Sequence, residues 1–285
     1  MSSLSFSGHE SFPCRPFWLK KGFDFINNGH KFNEPDAVEH LGVGNNMVRS
    51  IKYWLKAFDA LQENDQVSDL FEKLLVENGW DPFLEDTGTL WLLHYLILKR
   101  EHASAYRIVF SELRKRKPEF SRKNFLQYVT VEKDGTFNQA TLKTDFSVFI
   151  RTYFDGSSEQ IEEGYSALLA DLNLLTLVST TTKESVYHIE NKPRAVPHQI
   201  VLYSILNNEH YGDSISFDSL YLDENGPGTV FALDREGLVE RLEQIAKHYP
   251  QEVIFKKDPL IRELQFKGKK LNALRVLAGY YKANI

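Results

Sequence analysis

Asn33-Glu34-Pro35-Asp36-Ala37-Val38-Glu39-His40-Leu41-Gly42-Val43-Gly44-Asn45-Asn46-Met47-Val48-Arg49-Ser50-Ile51-Lys52-Tyr53-Trp54-Leu55 reads as two helices about a glycine turn. Pro35 suits the start of the first helix, and Asp36 and Glu39 fall in the turn where the helix dipole favours acids. Asn45 is a good N-cap for the second. Met47, Val48, Ile51, Trp54, Leu55 and Phe58 recur at helical spacing and form the expected buried stripe. Arg49, Ser50, Lys52, Tyr53 and Lys56 then occupy the other faces. This is the sequence form of a helix-turn-helix, which makes double-stranded DNA the first partner to consider. Asn45 or Asn46 would pair with adenine and Arg49 with guanine, while Lys52 and Lys56 would hold phosphates. Ser50, Tyr53 and Arg15 join this DNA-contacting set. The same fold also serves as a protein-docking module or a plain structural core.

The chain around this stretch is mostly helical in pattern. A helix from Phe17 to Ile26 closes at Asn27-Asn28-Gly29, and Val67–Glu77 gives another. Asp81-Pro82-Phe83-Leu84-Glu85-Asp86-Thr87 is a turn that caps Leu90–Arg100, a helix apolar almost all round and so central in its domain. Ser104–Arg116 follows, Ser121 caps a further helix, and Asn138–Tyr153 carries Leu142, Phe146, Phe149, Ile150 and Tyr153 on one face. From Ser158 the texture changes: a helix to about Asp171 precedes strands at 174–179 and 186–189, the shape of a wing. A similar unit recurs, with helices at Pro197–Leu206 and Asp234–His248 and a hairpin at 253–256 and 261–266, before a closing helix Leu271–Tyr281. The expected fold is mainly α with small β-hairpins, as helix-turn-helix or winged-helix-like units around a helical middle domain. Its expected domains are 1–64, 65–155 and 156–285.

At 285 residues, with 42% hydrophobic and 26% charged residues, the chain can bury a sizeable core. A net charge of −5 does not fit a protein that coats DNA nonspecifically. The sign is patchy, however: residues 99–123 hold nine Lys and Arg against three acids. Within that stretch Arg114, Lys115, Arg116 and Lys117 form a second candidate backbone contact, or simply a solvated helix end. The single cysteine, Cys14, excludes an internal disulfide and suits a reducing cytoplasm. Beside Arg15 its thiol could be activated, but among Phe12, Phe17 and Trp18 a packed role fits better. The chain shows no signal pattern and no membrane-length apolar run, so a cytoplasmic protein with no membrane partner is expected.

Chemistry is harder to find. The sequence has no P-loop, so no nucleotide cofactor is expected. What remains is His9 and Glu10 near the N-terminus, and Asp81, Glu85 and Asp86 on one loop ahead of His94. Carboxylates with a histidine could hold Mg²⁺ or Mn²⁺ for phosphodiester hydrolysis, although such a loop is also an ordinary capping turn.

Three motifs carry a family resemblance: Phe6-Ser7-Gly8-His9-Glu10-Ser11-Phe12 with Arg15 and Trp18–Gly22; Leu41–Val48 with Ile51, Tyr53 and Trp54; and Asp81–His94. Together they resemble a bacterial domain-of-unknown-function family encoded beside adenylylsulfate-reductase-like genes in DNA phosphorothioation clusters. One member type is described as the DNA-nicking subunit of the Ssp-type single-strand system. The resemblance implies a DNA-binding subunit of a defence system that nicks one strand to allow sulfur insertion. Its implied partners are sulfur-transfer and ATP-using subunits, and a homodimer is a further expectation. The alternatives are a non-catalytic winged-helix adaptor or regulator that recruits another enzyme, and a scaffold that binds only protein.

Overall fold

The glycine turn is where the sequence placed it: Gly42 takes a left-handed φ of 60°, which ends α2 (Ala37–Leu41). The computed structural model describes residues 4–100, 102–133, 137–154, 167–182, 184–258 and 262–284. They fall into two compact units, 1–189 and 190–285, so the boundaries expected near 64 and 155 both lie inside the first unit.

In the first unit α1 (Trp18–Asn27) and α2 pack on α3 (Asn45–Ala57). The N-cap of α3 is Gly44 rather than Asn45, and it makes no side-chain cap bond. Extended Gly44 already offers its carbonyl to the amides of Met47 and Val48, which places Asn45 and Asn46 inside the first turn. Phe25, Ala37, Leu41 and Val48 form a small core among these three helices. The stripe of α3 is wider than its periodicity suggests, because Ser50 and Tyr53 are buried along with Ile51, Trp54 and Leu55.

Short α4 (Asp69–Leu75) precedes α5 (Thr87–Lys99), in which every residue from Gly88 to Leu98 is buried. The expected helix over Ser104–Arg116 is α6 (Ser104–Arg107), a π-helical segment (Ile108–Leu113) and α7 (Arg114–Arg116). Strand β1 (Glu119–Ser121) leads into α8 (Arg122–Glu132), where Ser121 and Asn124 form a reciprocal capping box. Then comes α9 (Gln139–Tyr153), capped by Asn138. Its inner face packs Phe146, Phe149 and Tyr153 against Phe110, Phe125 and Tyr106 through edge-on and tilted ring contacts. Each such ring, fully buried, contributes about 1.5–3 kcal/mol of transfer free energy.

Of the helix expected over 158–171, residues 158–166 lie outside the described residues, and Ala170–Leu172 is a single 3₁₀ turn. The hairpin follows as β2 (Thr176–Thr180) and β3 (Ser185–His188), and β1 joins it to give the strand order β1-β3-β2.

The second unit repeats this succession. Helix α10 (His198–Leu206) is followed by β4 (Ser214–Ser216), α11 (Phe217–Leu222) and α12 (Pro227–Val230). Then come α13 (Arg235–His248), β5 (Val253–Lys257) and β6 (Arg262–Phe266), with strand order β4-β6-β5. The closing helix α14 (Ala273–Asn284) packs on α10. The fold is thus mainly α with two small antiparallel sheets. No helix among the described residues is long and apolar enough to cross a membrane.

Candidate nucleic-acid interface

The N-terminal segment explains why Ser50 and Tyr53 are inside. Gly8, with φ of 97°, lies flat against the Tyr53 ring, and a Cβ there would come within 2.7 Å of it. His9, 3% exposed, stacks on Trp54 and meets the edge of Tyr53. Its Nδ1 accepts from the Ser11 amide at 3.2 Å, so Nε2 carries the proton that reaches Asp145 Oδ1 at 3.1 Å. Asp145 also accepts the Ser7 amide. The Ser50 hydroxyl donates to the His9 carbonyl, Trp54 Nε1 to Phe12 and Arg151 to Ser11. The Phe6–Phe12 motif is thereby a clasp tying the N-terminal segment to α3 and α9, and the His9 ring is fully occupied.

The remaining catalytic candidates are dispersed. Asp81 accepts the amides of Glu85 and Asp86, and Asp86 caps α5 through the Thr89 amide, so the loop is a capping turn. Glu85 is exposed, while Glu10 sits 3.6 Å from Arg49. His94 is fully buried inside α5 with Nδ1 2.8 Å from the Tyr153 hydroxyl. Among the described residues no three His, Cys, Asp or Glu side chains are grouped as a metal site would require. The six residues read for Mg²⁺ or Mn²⁺ therefore do not make one site, and no metal-dependent step follows from them. Cys14 is 2% exposed, and burial pushes its thiol pKa well up, which removes the activated-thiol reading.

On α3 only part of the expected DNA face is available. Asn45, Asn46 and Arg49 are exposed, and Lys52 and Lys56 are half-buried. Ser50 and Tyr53 are withdrawn by the clasp, the latter donating its hydroxyl to the His102 carbonyl. The cations of this face are matched by acids: Arg49 by Glu10, and both lysines by Asp65, at 2.6 Å from Lys52 and 3.1 Å from Lys56. Arg15, half-buried, lies 5.3 Å over the Trp18 ring. In the 114–117 run Arg114 is 6% exposed and donates to the Phe110 carbonyl, which takes it off the surface. Arg116 pairs with Glu132 at 2.7 Å, and Lys115 and Lys117 are exposed.

A different surface went unread in the sequence. The outward stripe of α9 is Gln139, Lys143, Ser147 and Arg151, each exposed. The four-residue spacing was visible, but the same helix advertises its apolar face more strongly. Two grooves run beside this stripe and meet at Arg122 and Glu184, one walled by α8 and the other by the β2–β3 hairpin.

Comparison with known proteins adds the following. A crystal structure of magnesium ion-bound SspB matches with a TM-score of 0.86 at 25% identity, covering 98% of this chain and 88% of that one. A second SspB crystal structure matches in fold with a TM-score of 0.85 at 24% identity, with the same coverage. No curated protein sequence matches. Residues 6–281 match the family described as protein of unknown function (DUF4007), and the chain belongs to that family.

Proposed function

We propose that this protein is a cytoplasmic DNA-binding subunit of a bacterial DNA phosphorothioation defence system, and that it nicks one strand so that sulfur can be inserted. One observation carries the reading: the SspB likeness runs through 98% of the chain, and the family match over residues 6–281 spans all three motifs. We read both repeats as winged-helix units. Each runs helix, short strand, helices, hairpin, and in each the first strand pairs with the last strand of the hairpin. In such units a helix reaches DNA and the hairpin flanks it. The partners proposed are double-stranded DNA and the sulfur-transfer and ATP-using subunits.

The test is supercoiled plasmid incubated with purified protein and Mg²⁺ or Mn²⁺. Relaxed circles that disappear with chelator support the nickase. Intact plasmid with no shift of a DNA duplex overturns both cutting and binding. A second reading, the non-catalytic adaptor, is favoured by the dispersal of His9, Glu10, Asp81, Glu85, Asp86 and His94. Intact plasmid together with a retarded duplex selects it.

A further inference from the structure

We propose that DNA docks on the outward stripe of α9 and the two grooves beside it, rather than on α3. This deepens the DNA-binding reading above and rests on it.

Three observations converge. The first is charge. Arg122, Lys123, Lys143 and Arg151 line the two grooves, and Glu184 is the one carboxylate among the described lining residues. Glu184 is already engaged: the Ser121 side chain first, then the Lys123 amide at 3.2 Å and the charges of Lys123 and Arg122, hold its pKa below the usual range. The only acid within α9 is Asp145, turned inward onto His9. Lys143 has no ion pair among the described residues. On α3, by contrast, a polyanion must first displace Glu10 and Asp65.

The second is order. Arg151 donates to the Ser11 carbonyl at 2.7 Å, so its guanidinium is held in place without losing its charge to a carboxylate. A pre-positioned cation loses less freedom on meeting a phosphate.

The third is the wall. Thr181, Thr182 and Ser185 of the hairpin line the second groove; Thr181 and Ser185 bond to the Glu184 carbonyl and to Thr180, and exposed Thr182 brings a hydroxyl of the kind that meets phosphate oxygens. A stripe of Gln, Lys, Ser and Arg combines backbone contact with base-edge donors, and the exposed stripe is long enough to follow a groove.

The experiment uses the full chain, a short fluorescent DNA duplex and anisotropy over a range of salt. Arg122→Glu with Lys143→Glu should weaken binding at least tenfold, and should reduce the slope of log affinity on log salt by about two. Arg49→Glu with Lys52→Glu should change affinity by less than about threefold. Gln139→Lys should tighten binding, an arm that does not depend on tolerating a charge reversal. If wild type and the α9 variant bind the duplex equally, the docking surface is elsewhere while the DNA-binding reading stands. If wild type does not bind duplex at all, the DNA-binding reading itself fails. If the α9 variant loses co-purification of a partner subunit but keeps the duplex, the surface belongs to an acidic protein, and the proposal is overturned.

Discussion

Helices α9 and α13 hold corresponding places in the two repeats, after the short strand and before the hairpin, yet they face solvent with different charge. The outward stripe of α9 carries Lys143 and Arg151 and no acid. On α13 the surface residues include Glu236, Glu240 and Glu243, of which Glu240 is bound by Arg241 and Gln244 and Glu243 by Lys257. The lysines of the second hairpin are spent in the same way, Lys256 on Glu263 and Lys257 on Glu243. One topology thus presents a cationic surface in one copy and a self-neutralised one in the other. Topology sets which helix is presented, while side chains at four-residue spacing set what it is presented to.

The largest expected effect tests how α9 is anchored. Asp145→Ala should cost about 2–4 kcal/mol, because the Ser7 amide and His9 Nε2–H lose a buried acceptor. Denaturant titration would show it, and an unchanged midpoint would mean the clasp contributes nothing. The next test compares the helices directly. Glu236→Lys with Glu240→Lys on α13 should leave duplex affinity within about threefold of wild type, against at least tenfold for the reversal on α9. Equal and opposite changes would mean that total charge, not location, governs binding.

A smaller effect concerns the second unit alone. Half-buried His198 has its pKa lowered from 6.5 to about 4, first by burial and then by His248 and Arg241. The unfolded chain takes that proton near pH 6.5, so this stability is present above 6.5 and is lost as pH falls toward 4. Hydrogen exchange across residues 190–285 should rise over that window, and His198→Asn should flatten the rise. The smallest effect is on α3, where Lys52→Ala should shift stability by no more than about 1 kcal/mol because its pair with Asp65 is exposed. A shift of several kcal/mol would show that the pair is structural.

Much of this was legible along the chain. The apolar run Leu90–Leu98 marked a central helix, Gly42 marked the turn, and both hairpins announced themselves as paired apolar-rich runs around polar turn residues. Strands β1 and β4 were not legible, since three residues each carry too little pattern and exist only because a distant hairpin edge accepts them. The sites were read less well. Ser50 and Tyr53 looked exposed from helical spacing, yet the partners that bury them lie some forty residues away. Spacing reports one helix at a time and does not register a segment folding back over it.

Local backbone chemistry was therefore fixed by the order of residues alone: where helices start and stop, which face is apolar, where a hairpin turns. These are nearest-neighbour effects of caps, dipoles and periodicity. The tertiary structure decided which polar faces remain outside and which charges remain unmatched. Burial and charge pairing depend on partners such as Asp65 for Lys52 and Asp145 for His9, brought together through space rather than along the chain.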